Sequence, residues 1–66
     1  MRIMVNGEWT QQDAPASVGQ LLERMQLQPR HVAVERNRDI VRRKDFDNTQ
    51  LADEDRIEIV TLVGGG

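Results

Sequence analysis

Sixty-six residues with a net charge of -2 and no cysteine describe one small domain with one small core. A chain this size buries only about 60% of the surface its unfolded form exposes, which excludes a deep cleft with catalytic machinery of its own. The missing cysteines exclude disulfides, thiolate nucleophiles and thiolate metal sites. Secreted domains this small usually carry disulfides, so the composition favours a reducing, cytoplasmic setting. No apolar run approaches the ~20 residues of a membrane span. Met1–Val5 runs into Asn6-Gly7 without the apolar stretch of a signal peptide. The slightly acidic balance argues against a dedicated nucleic-acid binder.

Ile3 and Val5 alternate with Met4 ahead of Asn6-Gly7. Asn-Gly between strand-like runs predicts a two-residue hairpin, because a type I′ turn needs two residues with positive φ. Glu8 to Gln12 is the return strand, with Met4 opposite Trp9 and Ile3 opposite Thr10. Asp13 to Ala16 is a loop. Ser17 followed by Gln20 forms a capping box, and Val18, Leu21, Leu22 and Met25 make one apolar helical stripe. Gln28-Pro29 is the expected helix stop. Val32 to Glu35 is a short strand, Arg36-Asn37-Arg38-Asp39 a polar turn, and Ile40-Val41 the start of another strand. Residues 42–51 read as irregular, anchored by Phe46 and Leu51. Asp53-Glu54-Asp55 is a turn, and Arg56 to Val63 is the last and strongest strand.

An amphipathic helix must cover the apolar face of a sheet, giving two layers. The last strand is expected beside the first, in parallel, at the centre of a mixed sheet. The fold class is therefore α+β: a β-grasp of four to five strands on one main helix. Residues 1–63 form the domain, and residues 64–66 form a glycine tail. The expected core includes Ile3, Val5, Leu21, Leu22, Met25, Val34, Ile57 and Ile59.

Gly64-Gly65-Gly66 follow the last strand directly. Chain ends commonly fray. Glycine also lets another backbone approach closely, and three residues reach at most about 10 Å. Such a tail can enter a narrow slot and present the Gly66 carboxylate to chemistry there. Nothing within the chain offsets the ordering entropy of residues without side chains, so the tail is expected to be mobile when free.

A β-grasp domain ending in bare glycines is similar to the ubiquitin-like superfamily. The whole chain further resembles the ThiS family, the small sulfur carriers of thiamin thiazole biosynthesis. Three features carry this: Asn6-Gly7, Val34-Glu35-Arg36-Asn37, and Ile57-Glu58-Ile59-Val60 leading to Val63-Gly64-Gly65-Gly66. The resemblance implies that the chain is a carrier, not an enzyme, and binds no cofactor itself. A ThiF-like adenylating enzyme would consume ATP to activate Gly66. Sulfur from a persulfide donor would then displace AMP to leave a thiocarboxylate, and a thiazole synthase would receive the sulfur. Such a carrier is expected to be a monomer when free. Two other readings remain: a carrier for molybdopterin or another metabolite, and an RNA- or protein-binding module with an inert tail.

The other residues suit this division of labour. His31 is the only histidine and lacks a positioned partner for acid–base work. Asp53, Glu54 and Asp55 lack the glycine and terminal glutamate of a calcium loop and read as a solvated turn; no metal site is expected. Arg36, Arg38, Arg42, Arg43 and Lys44 form a basic run that reads either as a solvated face or as a contact for a partner or for RNA. Trp9 and Phe46 are the only aromatics, a poor platform for stacking bases. Alternation in the last strand turns Ile57 and Ile59 toward the helix and leaves Val60 and Leu62 on the open face. Met4 and Trp9 share that face, and the four are candidate docking residues.

Overall fold

The Asn6-Gly7 signal is realised in the computed structural model, which describes residues 1–62. β1 (Arg2–Val5) pairs antiparallel with β2 (Glu8–Gln11), with Met4 opposite Trp9 and Ile3 opposite Thr10. Asn6 and Gly7 have φ of 50° and 87°, the left-handed pair that this turn needs. β3 (Val32–Arg36) and β4 (Asp39–Val41) form a second hairpin. Its turn residues, Asn37 and Arg38, also have positive φ, 52° and 73°. The second turn thus repeats the first without a glycine.

β5 (Arg56–Thr61) lies at the centre, parallel to β1 and antiparallel to β3, in the order β2-β1-β5-β3-β4. Only Met4 and Val5 pair with β5 from β1, and the side chain of Asn6 extends that short ladder. The Asn6 amide donates to the Ile57 carbonyl at 2.9 Å, and its Oδ1 accepts from the Ile59 amide at 2.8 Å. Asn37 does the equivalent on the other flank. It donates to the Arg56 carbonyl at 2.7 Å and accepts from the Arg56 amide at 2.9 Å. Both hairpin turns therefore clamp the central strand through asparagine.

α1 (Val18–Arg24) covers one face of this sheet. The capping box is present: the Gln20 amide donates to Ser17 Oγ at 3.1 Å, and the Ser17 amide donates to Gln20 Oε1 at 2.8 Å. Val18, Leu21 and Leu22 are buried, but Met25 is 40% exposed, contrary to expectation. The helix ends well before Pro29. Gln26 takes φ of 60° and donates to the Glu23 carbonyl, while the Leu27 amide reaches back to the Leu22 carbonyl at 2.9 Å. These paired bonds close the helix as a Schellman motif. The chain turns there, and Leu27 packs against the core while Met25, the cap residue just before the turn, stays largely outside it.

The remaining expected core residues, Ile3, Val5, Val34, Ile57 and Ile59, are all buried. Phe46 and Leu51 anchor the irregular segment as expected, and Ala16 and Val32 join them. The segment crosses the helix start closely: the Gly19 amide donates to the Phe46 carbonyl at 2.9 Å, and a Cβ on Gly19 would meet the Asp47 carboxylate. A five-stranded mixed sheet packed on one helix, with parallel first and last strands at its centre, is a β-grasp fold. Among the described residues no helix is long and apolar enough to cross a membrane. The expected boundary at residue 63 and the expected tail of Gly64, Gly65 and Gly66 lie outside the described residues.

Leu22 is fully buried, and truncating such a leucine costs about 2–5 kcal/mol. That is comparable to the roughly 3–5 kcal/mol a core this small supplies. Leu22→Ala is expected to leave the domain largely unfolded near 40 °C in a circular-dichroism melt. A melting midpoint within a few degrees of the parent would show that the helix contributes little to the core.

Candidate functional site

β5 carries the chain to Leu62, two residues before the glycines. Ile57 and Ile59 face the helix and are buried. Val60 (59% exposed) and Leu62 (44%) stand on the open side. Val60 is directly opposite Ala33 in the β3 ladder, and the Leu62 amide donates to the His31 carbonyl at 2.7 Å. His31 thus positions the last described residue with its main chain. Its ring is exposed, and no role for it emerges.

Met4 and Trp9 share the open face but form a separate group. Met4 is in register with Arg56, four residues before Val60, so about 13 Å separates the two pairs along the strand. The Arg2 guanidinium lies 4.0 Å from the Trp9 ring centroid and that of Arg56 lies 5.6 Å away. Arg56 also reaches the Met4 sulfur at 3.3 Å. Between the groups, Glu58 stands directly opposite Glu35, a like-charge pairing that is unfavourable in a sheet. The structure brings Val60 together with Leu62 and Met4 together with Trp9, but does not merge the two pairs into one patch.

The basic run divides in the same way. Arg36 Nε donates to Asp55 Oδ2 at 2.8 Å. Arg43 donates to the Pro29 and Arg30 carbonyls at 3.1 and 3.4 Å, tying a short 3-10 turn (Arg43–Asp45) to another (Pro29–His31). Arg38 sits in the second hairpin turn. Arg42 and Lys44 remain exposed near the end of β4.

The acidic turn is solvated at Asp53 and Glu54, as expected, but not at Asp55. Asp53 Oδ1 accepts from the Arg2 amide at 2.7 Å, and Glu54 pairs with Arg2 at 3.4 Å across open surface. Asp55 is only 6% exposed. Its oxygens accept from Arg36, from Asn37 Nδ2 at 3.0 Å and from the Ala52 amide at 2.8 Å. Burial alone would push its pKa up. The Ala52, Arg36 and Asn37 hydrogen bonds, with the Arg36 charge, outweigh burial and hold the carboxyl below its ordinary value. Among the described residues no group of three or more His, Asp or Glu side chains is placed to hold a metal.

The ThiS family model matches residues 3–66, so the match includes all three glycines. The crystal structure of a thiamine biosynthesis protein (ThiS) from Geobacter metallireducens superposes with a TM-score of 0.85 at 33% identity, covering all of both chains. The sulfur carrier protein ThiS of Bacillus subtilis strain 168 is 42% identical over 50 residues, 76% of each chain. A thiazole synthase of Paramagnetospirillum magneticum is 38% identical over the entire chain, which spans only 20% of that protein's length. On the family match and the full-length structural likeness together, this chain belongs to the ThiS family.

Proposed function

We propose that the chain is a sulfur carrier of thiamin biosynthesis and that Gly66 is the residue that bears the sulfur. An ionised carboxylate is a poor electrophile, and a terminal carboxyl is ionised at neutral pH. A ThiF-like enzyme joins the Gly66 carboxylate to AMP from ATP, releasing pyrophosphate. A persulfide sulfur then attacks the acyl carbon and AMP leaves. A thiol cleaves the resulting acyl disulfide to give the Gly66 thiocarboxylate. That sulfur is nucleophilic and is handed to a thiazole synthase. The carrier works as a cytoplasmic monomer, supplying the reacting atom and a surface that partners recognise. Catalytic groups and ATP belong to the partners.

The observation that carries this reading is the position of Gly64–Gly66 within the family match, shortly after a central strand that ends at Thr61. The likeness of the whole chain to a segment of a thiazole synthase supports that enzyme as the acceptor's partner. Intact mass spectrometry tests the reading. Incubation with a ThiF-like enzyme, ATP and a persulfide donor should produce one oxygen-to-sulfur exchange, localised to Gly66 by fragmentation. An unchanged mass with a competent enzyme would replace the carrier reading with that of an inert binding module.

A further inference from the structure

β5 ends at Thr61, and the next residue, Leu62, is held from outside the sheet. Its amide donates to the His31 carbonyl at 2.7 Å. His31 belongs to the short Pro29–His31 turn, and no side chain of that turn is buried. Two inner bonds set the turn's shape: the His31 amide donates to the Gln28 carbonyl at 2.9 Å, and the Val32 amide donates to the Pro29 carbonyl. Shape alone does not fix where the turn sits. Val32, buried and opposite Thr61, fixes its far end.

Arg43 fixes the near end. Its Nε donates to the Pro29 carbonyl at 3.1 Å, and one arm of the guanidinium reaches the Arg30 carbonyl at 3.4 Å. A rigid planar fork can hold two acceptors in one geometry. Arg43 is itself anchored. The Phe46 amide donates to the Arg43 carbonyl at 3.2 Å, and the Phe46 side chain is buried in the core. A continuous path therefore runs from Phe46 through the Arg43 guanidinium to the exposed turn, and from the His31 carbonyl to the Leu62 amide.

Gly66 is four residues beyond Leu62, a reach of at most about 14 Å. We infer that Arg43 is a positioning residue for the sulfur-bearing end: by holding the Pro29–His31 turn it fixes Leu62, the point from which the last four residues leave the sheet. This rests on the carrier reading for what happens at Gly66. A partner that brings the Gly66 carboxylate to a fixed reacting centre must order every free residue of the tether. Each residue released at the base adds its own ordering entropy, which lowers the rate about tenfold. Arg43 touches neither Gly66 nor Leu62 through this path and acts only through the His31 carbonyl.

The test compares Arg43→Met, which keeps an unbranched stem and removes the fork, with the parent and with Arg24→Met. Arg24 is exposed on the helix, and its loss changes net charge equally. Amide hydrogen exchange is read on the free chain, Kd for the ThiF-like enzyme by calorimetry, and the kcat of sulfur gain by intact mass. In Arg43→Met the Leu62 amide should exchange about tenfold faster. The Ile59 amide, held by Asn6 Oδ1, should keep the parent rate. The kcat should fall about tenfold, with Kd within about twofold of the parent. Arg24→Met should match the parent within about twofold in every measurement. Parent-like exchange at Leu62 in Arg43→Met overturns the hold, and a parent-like kcat overturns its use in positioning. A weaker Kd with unchanged kcat would make Arg43 a partner contact, and an equal kcat loss in Arg24→Met would reduce the effect to charge; either result overturns the inference. A parent chain that gains no sulfur overturns the carrier reading alone, and the hold on Leu62 stands or falls by its exchange rate.

Discussion

Deleting Gly66 should abolish oxygen-to-sulfur exchange while leaving the melting midpoint unchanged. The deletion moves the terminal carboxylate back by about 3.3–3.6 Å. A misplacement of ~1 Å can already cost 10²-fold in rate, so the loss should exceed about 10²-fold. Gly65→Ala probes the same slot by another route. It keeps the reach and adds one Cβ, which a channel shaped for glycine has no space to admit. It should slow conversion less than the deletion does. Neither change touches Ile57 or Ile59, the buried residues of β5, so both variants should melt with the parent. The measurement is the initial rate of mass gain with activating enzyme, ATP and persulfide donor. Conversion of the Gly66 deletion as fast as the parent would remove Gly66 from the chemistry.

Legibility of the fold followed the reach of each local signal. Asn6-Gly7 declared its turn because glycine advertises positive φ. Asn37-Arg38 has the same geometry, yet without glycine it read only as a polar turn. The helix start was legible because Ser17 and Gln20 satisfy each other's amides within four residues. The helix end was not. Its C-terminal residue with positive φ is Gln26, where glycine is the usual marker, and so Met25 was expected inside. Alternation along β5 assigned Val60 and Leu62 to the open face correctly, because side chains alternate with a period of two. Alternation does not give distance along a neighbouring strand. The separation of Met4 and Trp9 from Val60 needed the β1–β5 register. Asp55 was misread for a related reason: Arg36 and Asn37 are 19 and 18 residues away in sequence, and no local pattern announces the network.

Asp55→Ala should be the most destabilising change at a polar residue in this chain. It removes the acceptor for three donors at once: Arg36 Nε, Asn37 Nδ2 and the Ala52 amide. Asn37 also holds the Arg56 main chain, so the loss spreads to the start of the central strand. Breaking a buried pair by deleting one partner costs about 3–5 kcal/mol. Arg36 has 34% of its side chain exposed and can turn to water, so about 2–3 kcal/mol is expected here, a fall of roughly 10–20 °C in melting midpoint. Asp55→Asn keeps the shape and one acceptor oxygen and should lose less. The two variants also predict a pH signature. The folded-state pKa of Asp55 lies below its unfolded value, so the unfolded chain binds the proton more readily. The carboxylate's contribution is then fully present above the ordinary carboxylate pKa of about 3.9 and is lost as pH falls through the lower folded value. The stability gap between parent and Asp55→Asn should therefore be constant from about pH 5 upward and close as the solution is taken below about pH 4. The gap between two chains differing at one carboxyl isolates that group from the other acidic residues. Urea titrations at fixed pH steps would measure it, and a gap that stays constant down to pH 3 would mean that Asp55 acts through shape and not through charge.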